Sequence, residues 1–398
     1  MAGPIRRMLP HAANRDGELD PNPSQEAGMA VIEAPERKHV PVRRNYATHP
    51  MIIYWEMTQA CGLACRHCRA DAMTDPNPLE LSLTESKNLL RQFTEFGDPL
   101  PHLILTGGDP LRRRGLFELI GYANDLGLKT SITPAATALL TADALSALKE
   151  DGIQSLGLSL DGSTAQKHEA VRGIAGCYDL TLRAARLAAE LNLPIQVNTL
   201  VSEETADDLP AIFELLKSLQ VMRWSLFFLI GVGRGRILRP VTPARGEAIM
   251  NWVYDISDAA RFAIKTTEAP SYRRIALERM RRDGMSAAEI CATSVFQGFG
   301  IRDGHGIMFI SSTGDIYPSG FLPLKLGNVR TDSIAAAYRG APTFRSLHDP
   351  SEFKGKCGIC EYRRICGGSR ARAFAETGDA LGSDPFCPYQ AAGGTITA

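Results

Sequence analysis

Cys61, Cys65 and Cys68 fall in the stretch Thr-Gln-Ala-Cys-Gly-Leu-Ala-Cys-Arg-His-Cys, residues 58–68, at C-x3-C-x2-C spacing. Three thiolates on one short loop can hold three irons of a [4Fe–4S] cluster, which ordinarily takes four cysteines. The fourth iron then has no protein ligand and is open to a small molecule, as a catalytic metal keeps one open position. The alternatives are buried structural thiols or a zinc site with His67 as fourth ligand, although ligands this close in sequence give poor tetrahedral geometry. A second group, Cys357-x2-Cys360-x5-Cys366 with the distant Cys387, can close a [4Fe–4S] cluster with four thiolates, or bind zinc. Seven of the nine cysteines lie in these two groups; Cys177 and Cys291 stand apart and read as packing residues.

The elements that must carry these loops follow from the alternation of apolar runs. Strands are predicted over 51–57, 102–106, 128–133, 154–160, 195–200 and 223–229, and helices over 83–96, 114–126, 142–150, 178–192 and 206–219. Six β-α repeats predict an α/β fold with a parallel sheet and helices outside. The Cys61–Cys68 loop follows the first strand, and further polar motifs follow later strands. Function gathered at strand C-termini favours a partial (β/α)6 barrel over a doubly wound sheet. Residues 243–287 are predicted helical, with Trp252, Tyr254 and Phe262 packing. Their arginines, Arg273, Arg274, Arg279, Arg281 and Arg282, form either a solvated basic face or a site for a substrate carboxylate.

The C-x3-C-x2-C loop after a first strand resembles the radical S-adenosylmethionine (SAM) superfamily, over about residues 51–390. The resemblance implies that SAM chelates the open iron and that the reduced cluster cleaves it to a 5′-deoxyadenosyl radical, which abstracts hydrogen from a substrate. Thr106-Gly107-Gly108-Asp109-Pro110 is similar to the family's Gly-Gly-Glu-Pro motif, which holds the SAM amino group. Two glycines let backbone approach a ligand closely, and Asp109 can pair with an ammonium or organise carbonyls around one. In Ser159-Leu160-Asp161-Gly162 the polar side chains alternate with leucine and can share an inward face. The resemblance implies that Ser159 and Arg172 touch the SAM carboxylate; an arginine fork suits one, a surface salt bridge being the plain alternative. Asp161 can instead cap the next helix. Asn198 faces SAM, substrate or backbone. Gly231-Val-Gly-Arg-Gly235 reads as a loop approaching adenine or substrate, with Arg234 as an anion contact.

The C-terminal region is similar to the SPASM (twitch-like) extension of that family, which carries seven cysteines and two auxiliary clusters. Ser319 and Ser369 stand where the extension has cysteines, and no cysteine lies shortly before Gly314. The losses all fall on the first auxiliary cluster, so one cluster is dropped and a second, auxiliary [4Fe–4S] cluster on Cys357, Cys360, Cys366 and Cys387 is kept. Met308–Ile310 and Gly314–Pro318 predict a β-hairpin. The run from Cys366 through Arg370 and Arg372 to Cys387 resembles the haem-pathway branch, which acts on propionate side chains of tetrapyrroles. Peptide-modifying members share much of it. The two arginines pair with sulfides, with substrate carboxylates, or lie on a helix face.

Composition bounds the rest. Lys+Arg and Asp+Glu are both 44 in 398 residues, so no charge excess argues for nucleic acid or a membrane surface. No apolar run nears the roughly 18–20 residues that span a bilayer. Clustered cysteines without an export signal suggest metal in a reducing cytoplasm. The expected organisation is a disordered tail over 1–45, a barrel over 46–240, a helical bridge over 241–300 and a cluster domain over 301–398. The expected function is SAM-dependent radical chemistry: oxidative decarboxylation or side-chain modification of a tetrapyrrole, fed by flavodoxin or ferredoxin. A ribosomal-peptide maturase forming a crosslink or thioether, and a non-catalytic iron–sulfur carrier, are the alternatives.

Overall fold

The computed structural model describes residues 44–391. Of the tail expected over 1–45, all but the last two residues lie outside that range. The chain runs β1 (Ile52–Glu56), α1 (Leu83–Gln92), β2 (His102–Thr106), α2 (Leu116–Asp125), β3 (Thr130–Ile132), α3 (Ala142–Glu150), β4 (Ile153–Ser159), α4 (Ala165–Arg172), α5 (Cys177–Glu190), β5 (Ile195–Val201), α6 (Leu209–Lys217), β6 (Val221–Phe228), α7 (Pro243–Ser257), β7 (Ala263–Thr267), α8 (Tyr272–Arg282), β8 (Ile307–Ile310) and β9 (Ile316–Tyr317). Helix starts carry side-chain caps: Ser82 with Glu85 closes a capping box on α1, and Thr141, Thr164 and Thr242 cap α3, α4 and α7.

One sheet of nine strands runs β7-β6-β5-β4-β3-β2-β1-β8-β9. All neighbours are parallel except the β8–β9 hairpin, where Phe309 opposes Tyr317. Alternation sorts the side chains. On β1, Ile53 and Trp55 are fully buried under the helices, leaving Tyr54 and Glu56 on the other face. On β6, Trp224 and Leu226 are likewise buried outward, and Arg223, Ser225 and Phe227 face the other way. The sheet is curled. In a flat sheet the five strand spacings from β1 to β6 would separate them by about 24 Å, yet Tyr54 lies within electrostatic reach of both Arg223 and Glu268. His102 on β2 likewise feels Arg223. The faces turned away from the helices therefore look at one another across a concave interior.

Two regions depart from expectation. The stretch 243–287 is not all helix: Ala-Ile-Lys-Thr-Thr, 263–267, is a strand parallel to β6. Its outward and inward residues are both partly polar, so it shows no apolar alternation for a sequence reading to find. The helix α4 was not anticipated because Ala-Gln-Lys-His-Glu-Ala-Val-Arg has few apolar positions. Trp252 and Phe262 do pack, meeting Phe213 at 6.3 and 5.8 Å. Trp252 also meets Trp224 edge to face at 6.2 Å, locking α6 and α7 onto β6. The C-terminal segment holds both sides of the open barrel. β8 pairs with β1, while Arg372 donates to Glu268 O (2.8 Å), just past β7, and to the backbone at the end of β6. No helix of the described residues is long and apolar enough to cross a membrane.

Candidate iron–sulfur and cofactor site

The three-cysteine loop leaves the end of β1 and is anchored at its base by a residue the sequence reading passed over. Glu80 accepts from Thr58 Oγ1 (2.5 Å) and from Gln59 N (3.2 Å), and is itself held by the buried Arg113 at 3.1 Å. The Gly107–Asp109 turn packs against the same segment, with Gly108 N donating to Thr58 O (2.8 Å) and Asp109 N to Ala60 O (2.7 Å). The glycines are needed because that approach leaves no space for a side chain. Gly107 has φ +150°, and a Cβ on Gly108 would sit 2.5 Å from Ala60 O and 2.6 Å from Gln59 O. The close neighbour that explains the glycine pair is thus the cysteine loop itself. Gly108→Ala is expected to cost about 3 kcal/mol, since backbone atoms must shift rather than a side-chain tip. A fall in denaturation midpoint together with reduced iron retention after reconstitution checks this.

Two further segments, the end of α4 and the turn after β6, grip the loop from the other side. Arg66 N donates to Arg172 O (3.0 Å) and Arg66 Nη1 to Ala170 O (3.1 Å), tying the loop to the end of α4. Arg234 N donates to Cys68 O (3.1 Å), Arg234 Nε to Cys65 O (3.0 Å) and Arg234 Nη1 to Ala72 O (3.3 Å). Arg234, expected to contact an anion, thus spends three donors fixing loop backbone. Arg69, next after Cys68, pairs with the buried Glu56 at 3.1 Å, donates to Gly320 O (3.2 Å) and stacks over Phe309. It couples the loop to the C-terminal segment.

Asp161 does not cap the next helix; Thr164 does. Asp161 is buried, pairs with Arg172 at 2.8 Å, lies 3.6 Å from His67 Nε2 and accepts from Leu200 N (2.8 Å). Burial pushes this carboxyl up, but Arg172, His67 and His168 outweigh it and hold it below the usual carboxylate range. Arg172 is likewise raised, as Asp161 and Cys65 outweigh the burial of its charge. Arg172 therefore stands beside the Cys65 thiol. His67 is turned to Asp161, and among the described residues no three His, Cys, Asp or Glu side chains converge on a single-ion site. Asp109 accepts from Thr137 Oγ1 (3.0 Å), Leu111 N (3.2 Å) and Ala135 N (3.3 Å), so it organises the surrounding loops. Ser159 and Asn198 are register partners on β4 and β5 and share a face; Asn198 accepts from Gln196 Nε2 (2.8 Å).

The four C-terminal cysteines line one cavity, with Arg274, Lys356, Gly367, Gly368 and Tyr389 completing its wall. Gly368 N donates to Cys366 Sγ (3.4 Å), Asp384 N to Cys357 Sγ (3.3 Å) and Arg370 Nη2 to Cys357 Sγ (3.5 Å). Burial pushes the Cys366 and Cys387 thiols up, and Cys360 to about 11. Such a pocket disfavours bare thiolates and suits a cationic iron core that neutralises them. The donor set, the N–H···S contacts and the common cavity therefore fit a four-thiolate cluster. Arg370 opens a short helix but is fully buried, also donating to Ala380 O and Gly382 O, so it is neither a solvated helix-face charge nor free for substrate. Of the five arginines, Arg274 is buried, Arg273 and Arg279 are half-buried, and Arg281 and Arg282 are exposed as a solvated face; Arg273 lies within electrostatic reach of Cys366. Ser319 accepts from Phe321 N, and Ser369 donates to Glu268 Oε2 (2.5 Å), so both serines at lost cysteine positions are engaged within the protein. Cys177 is buried, while Cys291 is exposed and packs nothing.

A family model described as the radical SAM superfamily matches residues 55–216. An AdoMet-dependent heme synthase of Methanosarcina barkeri is 37% identical over 341 residues, covering 86% of this chain and 97% of that protein. A PqqA peptide cyclase of Rhodopseudomonas palustris is 29% identical, covering 85% of this chain and 86% of that protein. Among solved structures, Streptococcus suis SuiB bound to precursor peptide SuiA superposes with a TM-score of 0.66 at 17% identity, over 86% of this chain and 76% of SuiB, a likeness of fold. With its cysteine loop at the head of a curled parallel sheet, the chain belongs to the radical SAM superfamily.

Proposed function

We propose that this radical SAM enzyme modifies a carboxylate-bearing side chain of a tetrapyrrole, by oxidative decarboxylation. The observation that carries the reading is the 37% identity, over 97% of its length, to a protein named AdoMet-dependent heme synthase. Cys61, Cys65 and Cys68 hold the catalytic [4Fe–4S] cluster, and Gly107, Gly108, Asp109, Ser159, Arg172 and Asn198 orient SAM over residues 46–240. Cys357, Cys360, Cys366 and Cys387 hold a second cluster within residues 301–398. The catalytic cluster, when bound, supplies the electron that cleaves SAM to the hydrogen-abstracting radical. The protein's part is to fix the loop through Glu80, Gly108 and Arg234, to place Arg172 beside Cys65, and to keep solvent from the barrel mouth with the C-terminal segment. Loss of a hydrogen atom and then of carbon dioxide from a propionate leaves a vinyl group and one surplus electron. Cys357, Cys360, Cys366 and Cys387 would hold a fully ligated cluster with no iron open to substrate, and such a group would supply an acceptor for that electron. The setting is a reducing cytoplasm, with flavodoxin or ferredoxin as electron donor.

Anaerobic enzyme given SAM, dithionite and iron-coproporphyrin III is expected to form 5′-deoxyadenosine together with a porphyrin lighter by carbon dioxide and two hydrogens per side chain. It is also expected to shift the porphyrin Soret band on mixing. No Soret change and no mass loss, with SAM cleavage intact, would remove the tetrapyrrole reading. Peptide modification is then the second reading, favoured by the 29% identity to a PqqA peptide cyclase.

A further inference from the structure

Two cations face the barrel interior, and among the described residues neither makes a salt bridge to an acid. Arg223 on β6 and Lys265 on β7 are diagonal neighbours: Arg223 opposes Ala263 and Ser225 opposes Lys265. Both lie on the face opposite the buried Trp224 and Leu226. Among the described residues Arg223 has one side-chain partner, the neutral amide of Gln196 at 3.3 Å, and Lys265 has none. Both stay partly reachable by solvent although walled round by protein. The nearest acid is Glu268, just past β7. Its carboxyl accepts from Ser369, and burial with the neighbouring Asp303 raises it well above the usual carboxylate range. Its carboxylate oxygen is taken up by Ser369, and among the described residues it makes no salt bridge to either cation. Lys265 is pushed down to about 8 by burial and by Arg223 and Arg273, and still carries its proton at pH 7. Across the interior Tyr54 keeps a neutral hydroxyl, being pushed up to about 12.

Unpaired charges inside a protein are costly and persist where a ligand completes them. We propose that Arg223 and Lys265 form the subsite for a substrate carboxylate that stays unreacted, anchoring the molecule from the floor of the barrel. The inference rests on the tetrapyrrole reading above for the identity of that substrate. Depth supports it. Arg223 lies five residues before Phe228, the end of β6, which at 3.3 Å per residue places it about 16 Å below the mouth. The cysteine loop and the Gly107–Asp109 turn are at the mouth. A ligand held at both levels must be long, with an anionic end far from its reacting end. A macrocycle carrying several carboxylate side chains has that shape. The guanidinium fork and the lysine ammonium would share the carboxylate oxygens, with Tyr54 and Gln196 as neutral neighbours.

The test uses the reconstituted full chain and an Arg223→Gln/Lys265→Gln variant. Titration with coproporphyrin III, followed at the Soret band, is expected to show binding at least about 30-fold weaker in the variant. Its tetramethyl ester should bind both proteins alike, and Arg223→Lys should recover part of the loss. Equal affinity of the two proteins for the acid overturns the subsite while leaving the tetrapyrrole reading intact. Thermal unfolding separates a purely structural role. Removing two unbalanced buried charges should raise the melting temperature, whereas losing a structural pair would lower it. Should wild type bind no porphyrin, the tetrapyrrole reading fails, and citrate becomes the probe. An increase in melting temperature by citrate in wild type and not in the variant upholds the anion subsite alone, and no difference overturns it too.

Discussion

Replacing Cys61, Cys65 and Cys68 together by alanine is expected to lower iron content from about eight to about four per chain and to abolish 5′-deoxyadenosine formation. The rate loss should be about a thousandfold or more, equivalent to about 4 kcal/mol of barrel-mouth chemistry that no other side chain can supply. The fold should survive. The loop's backbone is held by Glu80, the Gly107–Asp109 turn and Arg234, none of which uses a thiol. Circular dichroism and a denaturation midpoint near wild type would confirm that. Iron analysis and product chromatography on the same sample then read the chemistry. A variant that keeps all its iron would show that these cysteines hold none of it. A wild type that assembles both clusters yet never cleaves SAM, with or without substrate, would point to an iron–sulfur carrier.

Legibility in the sequence follows from how local each feature is. The two cysteine groups are readable because their ligands sit within a few residues of one another, Cys387 excepted. The first six strands are readable because each has one face of Ile, Leu, Val, Phe or Trp under helices, which enforces apolar runs. The strand β7 is not readable: its inward face is Lys265 and Thr267, and its outward residues are only half-buried. Roles that depend on long-range partners are also hidden. Asp161 reads as an inward polar group or a helix cap, and only the fold shows Arg172 and His67 brought onto it. Arg234 reads as an anion contact, and Arg370 as a partner of sulfide or substrate carboxylate or as helix-face charge. Their actual acceptors are backbone carbonyls and a thiol from segments far away in sequence. Glu80 carries no motif at all; only its buried pairing with Arg113 beneath Thr58 marks it.

The complementary variant, with Cys357, Cys360, Cys366 and Cys387 all changed to alanine, should also lose about half the iron, yet with the opposite functional signature. SAM cleavage should continue, because the three-cysteine loop is anchored by elements outside the C-terminal cavity, with Arg69 a direct tie to that segment through Gly320 and Phe309. Product should fall to background, because the substrate radical has lost the acceptor for its surplus electron. The measurable result is 5′-deoxyadenosine without decarboxylated porphyrin. Stability should drop as well. The cavity is lined by Arg274, Lys356 and Arg363, with Arg370 on Cys357 Sγ and Arg273 close to Cys366. Arg274 is paired with Glu247 and Glu278, but Lys356, Arg363 and Arg370 make no salt bridge among the described residues, so without an anionic thiolate cluster they repel one another in a poorly solvated space. A chaotrope titration should therefore show the C-terminal segment opening before the barrel core. Product yield matched to wild type in the quadruple variant would exclude electron acceptance by this centre and leave it a structural role. Loss of both SAM cleavage and product would instead mean that the C-terminal segment, through Arg69 and the β1–β8 pairing, sets the geometry of the catalytic loop itself.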